Sequence, residues 1–190
     1  MSSREGMSQV GRVPRRVTPG RAGWAVAAAV AAAVLAALAW ALVHPAATPP
    51  SSVVGRQAPD FTMQTLDRRS VRLSDLRGHP VVVNVWASWC APCRQEEQPL
   101  RQSATRWQGR VQFLGVDFKD SPEAAGAAQE RARYPYPVGP VAGGMPSAYR
   151  VTAPPETFFI DSRGTVVARF LGPLDEPTIG RYLQLAGVGP

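Results

Sequence analysis

The sequence predicts an α/β domain with a mixed central sheet, preceded by one membrane-spanning helix. Three observations carry that expectation. Residues 24–43 contain no charged or strongly polar side chain, and as a helix such a run spans a hydrocarbon core of about 30 Å. The run Val81-Val82-Val83-Asn84-Val85-Trp86 is almost continuously apolar and mostly β-branched, the pattern of a central strand covered on both faces. Helix and strand patterns then alternate, which implies parallel pairing through right-handed crossovers.

Arg4, Arg12, Arg15, Arg16 and Arg21 oppose Glu5 in residues 1–23, a net charge of +4, while residues 44–190 carry 16 basic and 13 acidic groups. The formal charge of +7 therefore lies largely in a basic tail. No Lys/Arg cluster with interleaved aromatics stands out beyond it, which argues against nucleic-acid binding. Arginine on the amino side of residues 24–43 alone predicts a cytoplasmic tail and an extracytoplasmic remainder, with Trp24 and Trp40 at the two interfaces. A cleaved signal peptide has a shorter apolar core, about 7–15 residues, yet Ala46-Ala47 offers a peptidase site, so retention and cleavage both stay open. Arg15-Arg16 reads as topogenic charge rather than as a twin-arginine signal. Residues 44–54, rich in Pro, Ala and Ser, read as a tether, which leaves 55–190 as the folded domain.

Within that domain, Phe61 to Leu66, the polar Asp67-Arg68-Arg69 and Ser70 to Leu73 alternate as a β-hairpin. Residues 74–78 form a turn, and 81–86 the central strand. Residues 94–108 combine good helix formers with Leu100, Ala104 and Trp107 at helical spacing, and Gly109 ends them. Residues 111–117 are a second buried strand, and 122–133, rich in Ala, Glu and Arg, a second helix. A loop with one short extended piece runs to Pro146. Residues 157–161 and 165–170 flank Ser162-Arg163-Gly164 as a second hairpin, and a closing helix covers 176–185.

The chain has two cysteines, Cys90 and Cys93, in Trp86-Ala87-Ser88-Trp89-Cys90-Ala91-Pro92-Cys93-Arg94. A disulfide closing so short a loop constrains the unfolded chain very little, so stability is a poor reason for the pair. Structural zinc usually takes four protein ligands, and His44 and His79 stand in no ligand spacing, so no metal and no cofactor are expected. Dithiol chemistry remains. Cys90 falls at the start of a helix, where free backbone N–H groups and the positive end of the dipole favour a thiolate, which marks it as the nucleophile. Cys93, deeper in the helix and expected to be more buried, is the resolving thiol. Pro92 suits the first helical turn.

The order of elements and the Trp-Cys-Ala-Pro-Cys string resemble the thioredoxin superfamily, a three-layer fold. Gly55-Arg-Gln-Ala-Pro-Asp-Phe61, Val71-Arg-Leu-Ser-Asp-Leu-Arg-Gly78 and Tyr149-Arg-Val-Thr-Ala-Pro-Pro-Glu-Thr-Phe-Phe-Ile-Asp161 narrow the resemblance to its membrane-anchored TlpA, ResA and CcmG (DsbE)-like branch. The resemblance implies a redox-active Cys90–Cys93 disulfide and a cis proline at Pro155. It implies a substrate-binding surface that includes Trp89, Ala91, Pro92, Pro154 and Glu156, with Pro154 a departure from the usual pattern. It also implies an acid/base role for Glu96, which at i, i+3 shares a helix face with Cys93. Thioredoxins carry a buried aspartate where this chain has Asn84, which cannot take a proton, and that places the acid/base role more firmly on Glu96.

The function so implied is a monomeric, extracytoplasmic thiol-disulfide oxidoreductase. It would reduce protein disulfides, such as those of apocytochrome c during cytochrome c maturation, with electrons from a CcdA/DsbD-like membrane thiol carrier. Three alternatives stand beside it. A DsbA-like oxidant would use the same dithiol in the opposite direction. A peroxiredoxin shares the Ala-Pro-Asp-Phe and Leu-Arg-Gly segments but works through one peroxidatic cysteine flanked by an activating Thr and Arg. A copper chaperone would be expected to use a downstream histidine, and none follows His79.

Overall fold

The computed structural model describes residues 21–43 and 53–189. These fall into two units, divided at Pro49 and Pro50. In the first, helix α1 (Arg21–Val43) has 23 residues, and its described side chains, 24–26 and 28–40, are exposed. Among the described residues no helix is long and apolar enough to cross a membrane. The basic tail up to residue 20 and most of the 44–54 tether lie outside the described residues. Of the last two tether residues, Val53 is already buried in the second unit.

The second unit holds two sheets. Strands β1 (Thr62–Gln64) and β2 (Ser70–Arg72) pair antiparallel as the expected hairpin, separate from the central sheet. A 3-10 turn, Leu73–Leu76, leads into β3 (Val81–Trp86). Then follow α2 (Cys93–Arg106), β4 (Gln112–Asp117), α3 (Pro122–Ala132), β5 (Val138–Pro140), β6 (Glu156–Ile160), β7 (Val166–Leu171) and α4 (Glu176–Leu185). The five-stranded order is β5-β4-β3-β6-β7. β3, β4 and β5 run parallel, as the alternation of strands and helices predicts, while β6 runs antiparallel to both of its neighbours, β3 and β7. The short extended piece of the long loop is β5, which extends the sheet at β4.

All six residues of β3 are buried, and their parity divides the core. Val82 and Trp86 join Leu100, Phe159, Ile179 and Leu183 in a cluster with the helices. Val81, Val83 and Val85 join Met63, Leu114, Tyr149, Phe158 and Ile160 in a second cluster. The layer on that second face is built from the β1–β2 hairpin and the segment around a 3-10 turn, Ser147–Tyr149. Asn84 has the parity of Val82 and Trp86, so the one polar residue of β3 points to the helical side. Helix starts are marked by side chains: Ser121 and Asp175 accept from Ala124 and Thr178 N–H groups at α3 and α4.

The hairpin approaches β5 at Gly139. Leu66 donates to the Val138 carbonyl at 2.9 Å, and a Cβ at position 139 would collide with the Gln64 carbonyl oxygen. Gly139→Ala is therefore expected to lower stability by about 2 kcal/mol or more, as overpacking against rigid backbone does. Urea unfolding of the oxidised protein measures this, and an unchanged midpoint contradicts the close approach.

Candidate active site

The site forms where β3 leaves the sheet and α2 begins. A parallel strand followed by a crossover helix brings its loop to the carboxyl edge of the sheet, the usual location of α/β sites. Ser88 anchors that loop: its N–H and hydroxyl donate to the two Asp120 carboxylate oxygens at 2.6 and 2.7 Å. Asp117, at the end of β4, lies beside Asp120, and burial and then the Asp120 charge push its carboxyl up to about 6.

Cys90 and Cys93 are joined as a disulfide, with an S–S distance of 2.08 Å and Cα atoms 5.3 Å apart. The Cys93 N–H, the first of α2, donates to Cys90 Sγ at 3.1 Å. The backbone donor and helix dipole thus act at Cys90, as its place before the helix predicts. Two details differ from the sequence expectation. Both cysteines are 3% exposed, so Cys93 is not the more buried of the two. The physical reason is that the disulfide draws both side chains into the cluster of Trp86, Ala87 and Leu100. Pro92 stands just before the helix as its N-cap, with αR dihedrals, rather than inside the first turn. Trp89, Ala91 and Pro92 form the exposed rim around the sulfurs, with Trp89 59% exposed.

Glu96 lies three residues after Cys93 on the buried face of α2, which also carries Leu100, Ser103 and Ala104. It is fully buried. Its Oε1 accepts from Asn84 Nδ2 at 2.8 Å, and its Oε2 accepts from the Leu174 N–H at 3.0 Å. Burial pushes the carboxyl up to about 7, against the opposing pull of those two hydrogen bonds. A buried acid that changes charge near neutrality, on the face of the second cysteine, is suited to general acid/base work.

The Pro154–Pro155 peptide is cis, as the resemblance implies. Pro155 is buried and Pro154 half-buried, and the Pro155 carbonyl accepts from Gly172 N–H at 3.0 Å. Glu156 departs from the expected substrate-binding role. It is 1% exposed. Its Oε1 accepts from Thr152 N–H at 3.1 Å, and its Oε2 from Arg169 Nη2 and Nε at 2.7 and 3.1 Å. The cause is the β6–β7 pairing, which brings Arg169 over the first residue of β6 and commits the carboxylate to shaping the loop from inside.

Asp120, Asp117, Thr157, Arg169 and Leu174 escape the sequence reading. A polar signal existed for Asp117 and Asp120, which follow a buried strand at the sheet's carboxyl edge. Hairpin pairing of 156–171 brings opposite charges close enough to suggest Glu156–Arg169. Nothing in sequence marks Leu174, because its contribution is a backbone N–H. Among the described residues, no group of three or more His, Cys, Asp and Glu side chains is placed to hold a metal.

The burial of Glu96 has a sign that stability can report. The unfolded carboxyl ionises near its ordinary 4.5, the folded one near 7. Between these values the native state holds a proton that the unfolded state has lost, so stability falls as pH rises through the window and levels off above it. Glu96→Gln removes this dependence. The variant should gain about 2 kcal/mol relative to the parent on going from pH 5 to pH 8, measured by urea unfolding of the oxidised proteins, and parallel pH profiles refute the assignment.

Residues 54–169 match the AhpC/TSA family. The chain is 34% identical over 130 residues to the thiol:disulfide interchange protein DsbE of Pseudomonas fluorescens biotype C, covering 67% of this chain and 71% of that protein. It is 38% identical over 133 residues to a DsbE homolog of Paracoccus denitrificans, covering 66% and 70%. A thiol:disulfide interchange protein of the thioredoxin family from Chlorobium tepidum superposes with a TM-score of 0.63 at 25% identity, over 74% of this chain and 99% of that one. The segments shared with peroxiredoxins lie inside the family match, and within it this chain carries its two thiols three residues apart, joined as a disulfide. The chain therefore belongs to the AhpC/TSA family, and within that thioredoxin-fold family it is a thiol-disulfide oxidoreductase.

Proposed function

We propose that this chain is a membrane-anchored, extracytoplasmic reductant of protein disulfides. The observation that carries the reading is the buried Glu96, on the Cys93 face of α2 and able to change charge near neutrality. Such a group can take the proton of a buried thiol at the moment that thiol must become a nucleophile.

In the proposed reaction the Cys90 thiolate, favoured by the Cys93 N–H, attacks one sulfur of a substrate disulfide and releases the other as a thiolate. A mixed disulfide joins Cys90 to the substrate. The Cys93 thiol gives its proton to Glu96, and its thiolate attacks Cys90 Sγ. The bond to the substrate breaks, the second substrate sulfur leaves and is protonated, and Cys90–Cys93 forms. Two electrons pass to the substrate, and a membrane thiol carrier of the CcdA/DsbD kind returns the dithiol to its reduced form. Trp89, Ala91, Pro92 and Pro154 are the proposed contact surface, and the cis Pro155 loop faces the substrate backbone.

Apocytochrome c, whose haem-attachment cysteines must be reduced, is the substrate the resemblance implies. The uncharged run of residues 24–43 in the sequence supports a retained anchor, and the arginine-rich tail supports its orientation.

Two measurements test this. Cys93→Ala in the full chain should accumulate a mixed disulfide through Cys90 when mixed with an oxidised protein substrate, whereas Cys90→Ala should not. Absence of the adduct sinks the dithiol mechanism. A midpoint potential near that of thioredoxin, about −270 mV, is expected, and one near −120 mV overturns the reductant in favour of an oxidant.

A further inference from the structure

Asn84 is the polar exception in a strand of Val and Trp, and it is 1% exposed. A buried amide is costly unless its hydrogen bonds are made. Both N–H bonds of Asn84 are made: one to Glu96 Oε1 at 2.8 Å, the other to Thr157 Oγ1 at 3.0 Å. Thr157 sits directly across from Asn84 in the β3–β6 register, two residues after Pro155. The Asn84 Oδ1 is buried and has no hydrogen-bond partner among the described residues.

An ionised carboxylate only accepts hydrogen bonds, so the amide must present its NH2 to Glu96, as it does here. Thr157, whose hydroxyl accepts the second N–H, fixes the amide in that orientation. An aspartate at position 84 would compete for the proton, and a leucine would make no hydrogen bond to the carboxylate.

We propose that Asn84 is the positioning residue of the dithiol site, whose amide, locked by Thr157, donates to the Glu96 carboxylate and holds it in place for the proton of Cys93. The inference rests on the proposed acid/base role of Glu96 for its place in catalysis, but not for its geometry. The Leu174 N–H holds the other carboxylate oxygen.

The other groups facing Glu96 do not replace Asn84. Glu97, next on the helix, is ion-paired with Arg131 at 2.8 Å. Tyr134 and Tyr136, from the segment after α3, feel the Glu96 charge, and burial holds both phenols well above their ordinary range, so they stay neutral. Arg101 and Arg131 oppose these carboxylates at Tyr134. The cysteines on the same helix are joined in the oxidised form and do not titrate.

The test is a 13C NMR titration of the Glu96 carboxyl in the oxidised full-length protein, paired with the pH profile of the resolving step. Asn84→Leu, which keeps water out of the site, should raise the Glu96 midpoint by about one pH unit, because it removes a charge-assisted bond to the carboxylate. The resolving-step profile should move with it. Asn84→Asp should split the titration into two steps, as two carboxyls sharing a site do.

A Glu96 midpoint that Asn84→Leu leaves unchanged overturns the proposal. Should that variant fail to fold, Asn84→Asp decides, and a single unsplit transition overturns it. A midpoint that moves while the resolving rate ignores pH supports the hold of Asn84 on Glu96 and removes Glu96 from the exchange, so the two failures are told apart.

Discussion

The site depends on a constraint on β3: the strand is buried on both faces and hydrogen-bonded on both edges, to β4 and to β6. Such a strand has no freedom to shift, because a one-residue slip would turn Asn84 out of the helical face and bring valines in its place. Everything near the sulfurs hangs from it. The Ser88 loop leaves its carboxyl end, α2 returns across its helical face, and the register with β6 sets Thr157 opposite Asn84, close behind the cis Pro155. The strand that leads to the dithiol and the strand that follows the proline loop, far apart in the chain, are thus joined by pairing of rigid backbone.

Around that strand, four carboxyl groups of similar intrinsic acidity are held in different ways. Glu96 is stripped of water and given two hydrogen bonds, a balance that leaves it near neutrality. Glu156 is equally buried but matched to the guanidinium of Arg169, an arrangement that fastens a loop rather than moving a proton. Asp120 accepts from Ser88 and fixes the loop before Cys90, while burial and then the Asp120 charge raise Asp117 beside it. The type of residue does not assign the role; the partners do.

Much of the fold is legible in the sequence because its signals are local. The closing helix falls at 176–185 as the pattern predicts, and the β-branched run 81–86 is β3. Residues 157–161 shift by one, since Glu156 already pairs with Leu171. β5 is three residues long and reads only as a short extended piece, because so brief a strand gains its identity from β4 beside it. The layer opposite the helices is harder still to read: it comes from a hairpin and a 3-10 turn whose apolar residues, Met63 and Tyr149, are widely spaced in sequence.

The sequence by itself determined the dithiol, its place between a buried strand and a helix, the proline loop, and the charge-flanked apolar segment. Each is carried by spacing within one short stretch of chain. Only the tertiary structure decided what the surrounding groups do. Glu96 meets Asn84 from 12 residues away and Leu174 from 78, and Asn84 meets Thr157 across 73. Burial and hydrogen bonding set a carboxyl's proton affinity, and here both come from elements that the local pattern around Cys90 and Cys93 does not contain. That is why Glu96 becomes a group poised near neutrality, Glu156 a loop fastener and Asn84 a partner of the acid.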